Sequence, residues 1–103
     1  MKLEKMESII KEIAKTYFIA LRQIQLLTFS SGEMDKYSPF YIYYADVEYA
    51  FSTLNRNEKE VINKEFFYND YSYWWITKYK TREFKRIKSS AIKNFLEVFY
   101  EIH

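Results

Sequence analysis

Seven cationic side chains fall between residues 77 and 93: Lys78, Lys80, Arg82, Lys85, Arg86, Lys88 and Lys93. Glu83 is the one acid among them, so this stretch carries a net charge of +6, against +2 for all 103 residues. Wound as a helix, the stretch places Arg82, Arg86, Ser89 and Lys93 on one stripe. Phe84, Ile87, Ala91, Phe95, Val98 and Ile102 fall on the opposite stripe. One face suits a core and the other an anion. The chemistry on offer is binding: a guanidinium grips an anion or a base edge through two parallel hydrogen bonds, and an ammonium neutralises a phosphate.

No constellation for turnover accompanies these residues. The chain has no Cys and a single Gly, which excludes a disulfide framework, a Cys-ligated zinc site and a Gly-rich phosphate loop. Its one histidine, His103, is the last residue, where a disordered end is expected rather than a general base. Asp46 and Glu48 form a carboxylate pair in sequence, but positions two apart on a helix do not face each other, so both are assigned to a solvated face. The expectation is a protein that is not an enzyme and takes no cofactor or metal.

The elements that must position the basic residues read as helices. One Gly, one Pro and no run of alternating apolar and polar residues argue against a sheet-rich fold. Aromatics make up 21% of the chain while Ala and Gly are scarce, which reads as an AT-rich coding bias rather than an aromatic ligand cage. The alternately charged N-terminus lacks the apolar core of a signal peptide. The longest apolar runs, 17–21 and 40–45, fall far short of the roughly 20 residues that span a bilayer. The reading is a cytoplasmic protein with no membrane partner.

From Leu3 to about Phe29, Met6, Ile9, Ile10, Ile13, Tyr17, Ala20, Leu21, Ile24 and Leu27 recur at helical steps. Phe18, Ile19 and Leu26 widen the apolar face, so the second half of this helix is expected to be the more deeply buried. The added width is also suited to docking a second copy or a larger protein. Gly32 should close the helix through a left-handed cap, and residues 30–39 form the chain's evident loop. Ser38 and Pro39 then start a second helix running to about Leu54, with Phe40, Tyr43, Tyr44, Val47, Phe51 and Leu54 as its apolar stripe.

Asn55 and Glu58 have the spacing of a capping box, opening a third helix to about Tyr68 with Val61, Ile62 and Phe66 inward. A short fourth helix is expected from Ser72, with Trp74 and Trp75 about 100° apart, so that one anchors the core and the other covers an edge. Thr81 is placed as N-cap of the basic helix. Phe84, Ile87, Ala91 and Phe95 should pack on a tryptophan and on the second-helix stripe.

The order Leu54-Asn-Arg-Asn-Glu58-Lys-Glu-Val61-Ile62, Phe66-Phe67, Trp74-Trp75, Tyr79 and Phe84-Lys-Arg-Ile87-Lys-Ser-Ser-Ala91-Ile92-Lys-Asn-Phe95-Leu96 resembles sigma-factor region 4. It is most similar to small stand-alone region-4-like proteins, the phage-type ArpU regulators and those of mollicutes. The resemblance spans residues 54–99. It implies an all-α domain over 1–103, in which supporting helices in 1–53, the long first helix foremost, pack on a helix-turn-helix unit in 54–103.

Charge, helix order and resemblance together imply a sequence-specific transcription regulator that binds double-stranded DNA. Arg82 and Arg86 would read base edges, and Lys78, Lys80, Lys85 and Lys93 would hold phosphates. Thr81 and Ser89 complete the expected interface. The alternative is a non-enzymatic interaction module that binds RNA polymerase or a sigma factor, and a homo-oligomer is compatible with either.

Overall fold

A computed structural model describes residues 2–32 and 36–102. The chain folds as α1 (Leu3–Ser31), α2 (Pro39–Ser52), α3 (Arg56–Ile62), a π-helical turn (Asn63–Phe67) and α4 (Thr81–Ile102). Among the described residues there is no strand, so the all-α expectation holds.

Three helix boundaries form where local chemistry demands them. Gly32 ends α1 at φ 75°, and its N–H donates to the Thr28 carbonyl at 2.7 Å. A Cβ added there would meet nothing within 4 Å, so the dihedral angle rather than space requires glycine. Ser38 Oγ accepts from the Phe40 N–H at 3.2 Å, with Pro39 at the first helical position. At α3 the Asn55 side chain accepts from Glu58 N at 2.9 Å, and Glu58 Oε1 accepts from Asn55 N at 3.1 Å, which completes the capping box. Within the loop expected over 30–39, residues 33–35 lie outside the described part, as does His103.

One continuous core joins the helices. Ile10, Ile13 and Tyr17 of α1, Val47 and Ala50 of α2, Leu54, Ile62 of α3 and Ala91, Ile92, Phe95, Leu96 and Phe99 of α4 are buried together. A satellite of Val61, Tyr79 and Phe84 is covered by Trp74, Trp75 and Ile87. The expected partners of α4 are thus divided: Phe84 and Ile87 join the tryptophans, whereas Ala91 and Phe95 join the main core that includes Val47 and Ala50 of α2. The buried face of α4 is turned towards Ile92, Leu96 and Phe99, leaving Ile102 exposed.

Several expectations are overturned. The distal part of α1 is exposed, not more deeply buried: Ile19 is 53% exposed, Leu26 51% and Phe29 91%. At 1.5 Å per residue, the 29 residues of α1 reach about 43 Å and the 14 of α2 only about 21 Å, so α1 outruns its cover. α2 ends at Ser52, two residues short of the expected end at about Leu54, whereas Phe40 is exposed rather than part of the buried stripe. Glu48 is exposed as expected, and it also accepts a hydrogen bond from the Tyr17 hydroxyl.

The third helix changes to π geometry after Ile62, with Tyr68 N–H reaching the Asn63 carbonyl at 2.7 Å. The expected fourth helix is instead a run of turns over 72–78, held by Ile76 N–H to Tyr73 O and Lys78 N–H to Trp75 O. Aromatic residues lose rotamer freedom in a helix, and a helix this short is marginal. Consecutive tryptophans in a turn can flank one ring, and they do. Trp75 stacks on Phe84 at 4.3 Å between ring centres and Trp74 meets it edge-on at 5.8 Å, so both are packing residues.

Phe95 is fully buried where α1, α2 and α4 meet. Phe95→Ala should therefore lower unfolding free energy by about 3 kcal/mol or more in chemical denaturation. A loss below about 0.5 kcal/mol, the scale of a surface change, would contradict this packing.

Candidate nucleic-acid interface

The long amphipathic α4 carries the cationic residues, and burial of Phe84, Ala91, Ile92, Phe95, Leu96 and Phe99 fixes which way they point. Arg82, Lys85, Arg86 and Lys93 lie exposed on the outer face, and Ser89 among them is half-buried. Among the described residues none of these four cations has an ion-pair or hydrogen-bond partner. Lys80 and Thr81 are exposed at the N-terminal end of α4, where the helix dipole adds partial positive charge.

Thr81 is the first helical residue, not the N-cap. The Lys80 carbonyl accepts the first helical hydrogen bond, from Phe84 N–H at 2.8 Å, so the capping position falls one residue earlier than the sequence indicated.

Two of the seven cations turn elsewhere. Lys78 Nζ donates to Glu60 Oε1 at 2.6 Å, so the structure does not present it as a free phosphate contact. Lys88 lies 3.2 Å from both Glu7 of α1 and Glu65 of the π turn, with the Phe66 ring beneath it, and draws α4 inward. That leaves Lys80, Arg82, Lys85, Arg86 and Lys93 as the free set.

The α3–α4 contact sets the rotation of this face. Glu58, only 5% exposed, accepts from Ser90 Oγ at 2.7 Å and from Asn94 Nδ2 at 2.8 Å while also capping α3. Ser90 and Asn94 were not singled out in the sequence, although their i, i+4 spacing places both on one side of a helix. Asn55, Asn57, Glu58, Arg86, Ile87 and Ser90 line a hollow of about 240 Å³ beside the basic face. Asn57 is thereby a polar neighbour of Arg86 that sequence spacing alone did not reveal.

The connection between the two helices differs from a tight helix-turn-helix. Residues 68–80 separate the π turn from α4, whereas that motif uses a turn of about three or four residues. Tyr79 pins the connection: its hydroxyl lies 3.2 Å from acceptors on both Asn57 and Glu60. Trp74 Nε1 donates to Glu65 at 2.9 Å and adds a second tie.

No family model matches the chain, and neither the curated proteins nor the solved structures yield a match. Among the described residues no helix is long and apolar enough to cross a membrane, and no three His, Cys, Asp or Glu side chains gather as metal ligands.

Burial pushes the Glu60 carboxyl up, but hydrogen bonds from Lys78 and Tyr79 outweigh it and hold the group below its usual 4.5. A carboxyl more acidic in the folded chain stabilises fully above its unfolded pKa, and that contribution is lost as pH falls through the folded value. Between about pH 5.5 and about pH 3, Glu60→Gln should lose less stability than wild type in urea titrations. Equal losses would show that the Lys78–Glu60 pair contributes nothing to folding.

Proposed function

We propose that the chain is a sequence-specific DNA-binding transcription regulator of the sigma region 4-like type, in which a long connection stands in place of the tight turn of a helix-turn-helix and α4 is the element that enters the major groove. The observation that carries this reading is the gathering of unpaired cations on one exposed helix face. Lys64, Lys78 and Lys88 each meet a glutamate, while Arg82, Lys85, Arg86 and Lys93 share the outer face of α4 with no acidic partner among the described residues. Unpaired cations one turn apart on an exposed helix match the repeating charge of a phosphate backbone. Arg82 and Arg86, nearest the N-terminal end, are assigned to base edges. Lys80, Lys85 and Lys93 are assigned to phosphates, and Thr81 and Ser89 lie between them.

A second reading is favoured by a separate observation. The exposed apolar side chains Ile19, Leu26, Leu27 and Phe29 on α1, with Ile42 on α2, suit a protein partner such as RNA polymerase, a sigma factor or a second copy. The two readings are compatible, since this surface lies on elements other than α4.

With three lysines on phosphates and two arginines in the groove, the log–log dependence of affinity on salt should have a slope between roughly −3 and −4.5. Lys93→Ala should weaken all sequences alike and flatten the slope by about one, whereas Arg86→Ala should cost about 1 to 3 kcal/mol on a selected site alone. Fluorescence anisotropy on a selected duplex and a scrambled one measures both effects. Affinity independent of salt would rule out the phosphate contacts, and an Arg86→Ala loss equal on both duplexes would rule out base reading.

A further inference from the structure

A second site lies away from α4, where α1, α2 and the π turn meet. Tyr17, Val47, Glu48, Phe51, Asn63, Phe67 and Tyr68 line a hollow of about 230 Å³ that is open to solvent on one side. Four of these residues are aromatic, and one is an acid. The π turn brings Phe67 edge-on to Tyr17 at 5.4 Å between ring centres, and leaves Tyr68 beside the hollow and 53% exposed.

The Glu48 carboxylate has no cationic partner among the described residues, and its one hydrogen bond comes from the neutral Tyr17 hydroxyl. Burial and Glu48 itself push the Tyr17 pKa well up, so the phenol keeps its proton and remains the donor. The hollow therefore combines four aromatic side chains with one exposed carboxylate that has no cationic partner among the described residues. Aromatic rings attract cations through their negative faces, and most strongly where water is partly excluded.

We propose that this hollow is a binding site for a small organic ammonium, its alkyl groups against Phe51, Phe67 and Tyr68 and its charge answered by Glu48. The size of the cavity decides the class of ligand. It falls below the roughly 300 Å³ at which drug-sized pockets begin, which fits a head group of a few carbons and excludes a nucleotide or a peptide helix. Asn63, which has no hydrogen-bond partner for its side chain among the described residues, supplies a polar contact for a hydroxyl on such a ligand. The site uses none of the cations assigned to DNA, so it stands or falls independently of that reading.

The test is a two-dimensional amide NMR titration of the full chain with choline, with its uncharged isostere 3,3-dimethylbutan-1-ol, and with sodium acetate. Choline should give saturable shifts centred on residues 47–51 and 63–68, with a Kd of about 1 mM or below. The uncharged isostere should bind at least about tenfold more weakly, and acetate should leave these residues unmoved. Glu48→Gln, whose amide oxygen still accepts from Tyr17, should weaken choline about tenfold. Should that variant fail to fold by circular dichroism, Tyr68→Ala, at an exposed position, is read in its place and should weaken choline about threefold or more. Shifts that do not saturate, equal binding of the isostere, or unchanged choline affinity in the folded variant would overturn the proposal.

Discussion

The buried carboxylate of Glu58 is the contact on which the arrangement of α3 and α4 depends. It accepts the Asn55 N–H that opens α3, then Ser90 and Asn94 from two successive turns of α4. A carboxylate taken out of water costs several kcal/mol unless its oxygens are satisfied, while hydrogen bonds to a charged group return about 1.5 to 3 kcal/mol each. Three donors at these distances are enough to offset the burial. The cap of one helix and the rotation of another are therefore a single constraint. A slip of α4 by one residue would move Ser90 and Asn94 off the carboxylate and also lift Ala91 and Phe95 out of the core.

That constraint explains the division of charge. With Phe84, Ala91, Phe95 and Phe99 facing inward, Lys88 lies at the seam, where Glu7 and Glu65 approach it from two different elements. Arg82, Lys85, Arg86 and Lys93 lie on the side that no other element covers. Ion pairs at a surface add roughly 0 to 1 kcal/mol each, so stability alone does not account for which lysines are paired. Position does: Glu7, Glu60 and Glu65 meet Lys64, Lys78 and Lys88 across the seams between elements, whereas no acid of another element pairs with the outer face of α4 among the described residues.

What was legible in the sequence is what depends on neighbours in the chain. Gly32, Ser38–Pro39 and Asn55–Glu58 act within four residues of themselves, and their patterns predicted three helix boundaries. The inward direction of Val61, Ile62 and Phe95 followed from helical period. What escaped depends on partners far along the chain. Glu58 looked like a capping residue only, because Ser90 and Asn94 lie 32 and 36 positions away. The short helix expected from Ser72 did not form, since both tryptophans pack on Phe84 rather than along a helix of their own. Ile19, Leu26 and Phe29 have core-like chemistry, yet α2 is too short to cover them. Glu48 was assigned to solvent and is exposed, but its contact with Tyr17, 31 positions away, could not be read from spacing.

The central claim is that the outer face of α4 binds duplex DNA, and it is tested most directly by reversing the charge of Arg82 and Arg86 together. Both side chains are exposed and unpaired among the described residues, so an R82E/R86E chain should keep the helical circular dichroism and the melting behaviour of the wild type. Anisotropy at fixed salt on a duplex selected by the wild-type chain should show binding reduced at least about a hundredfold, since two base contacts of about 1 to 3 kcal/mol each are replaced by repulsion from phosphate. A folded double variant that bound the same duplex with wild-type affinity would contradict the account.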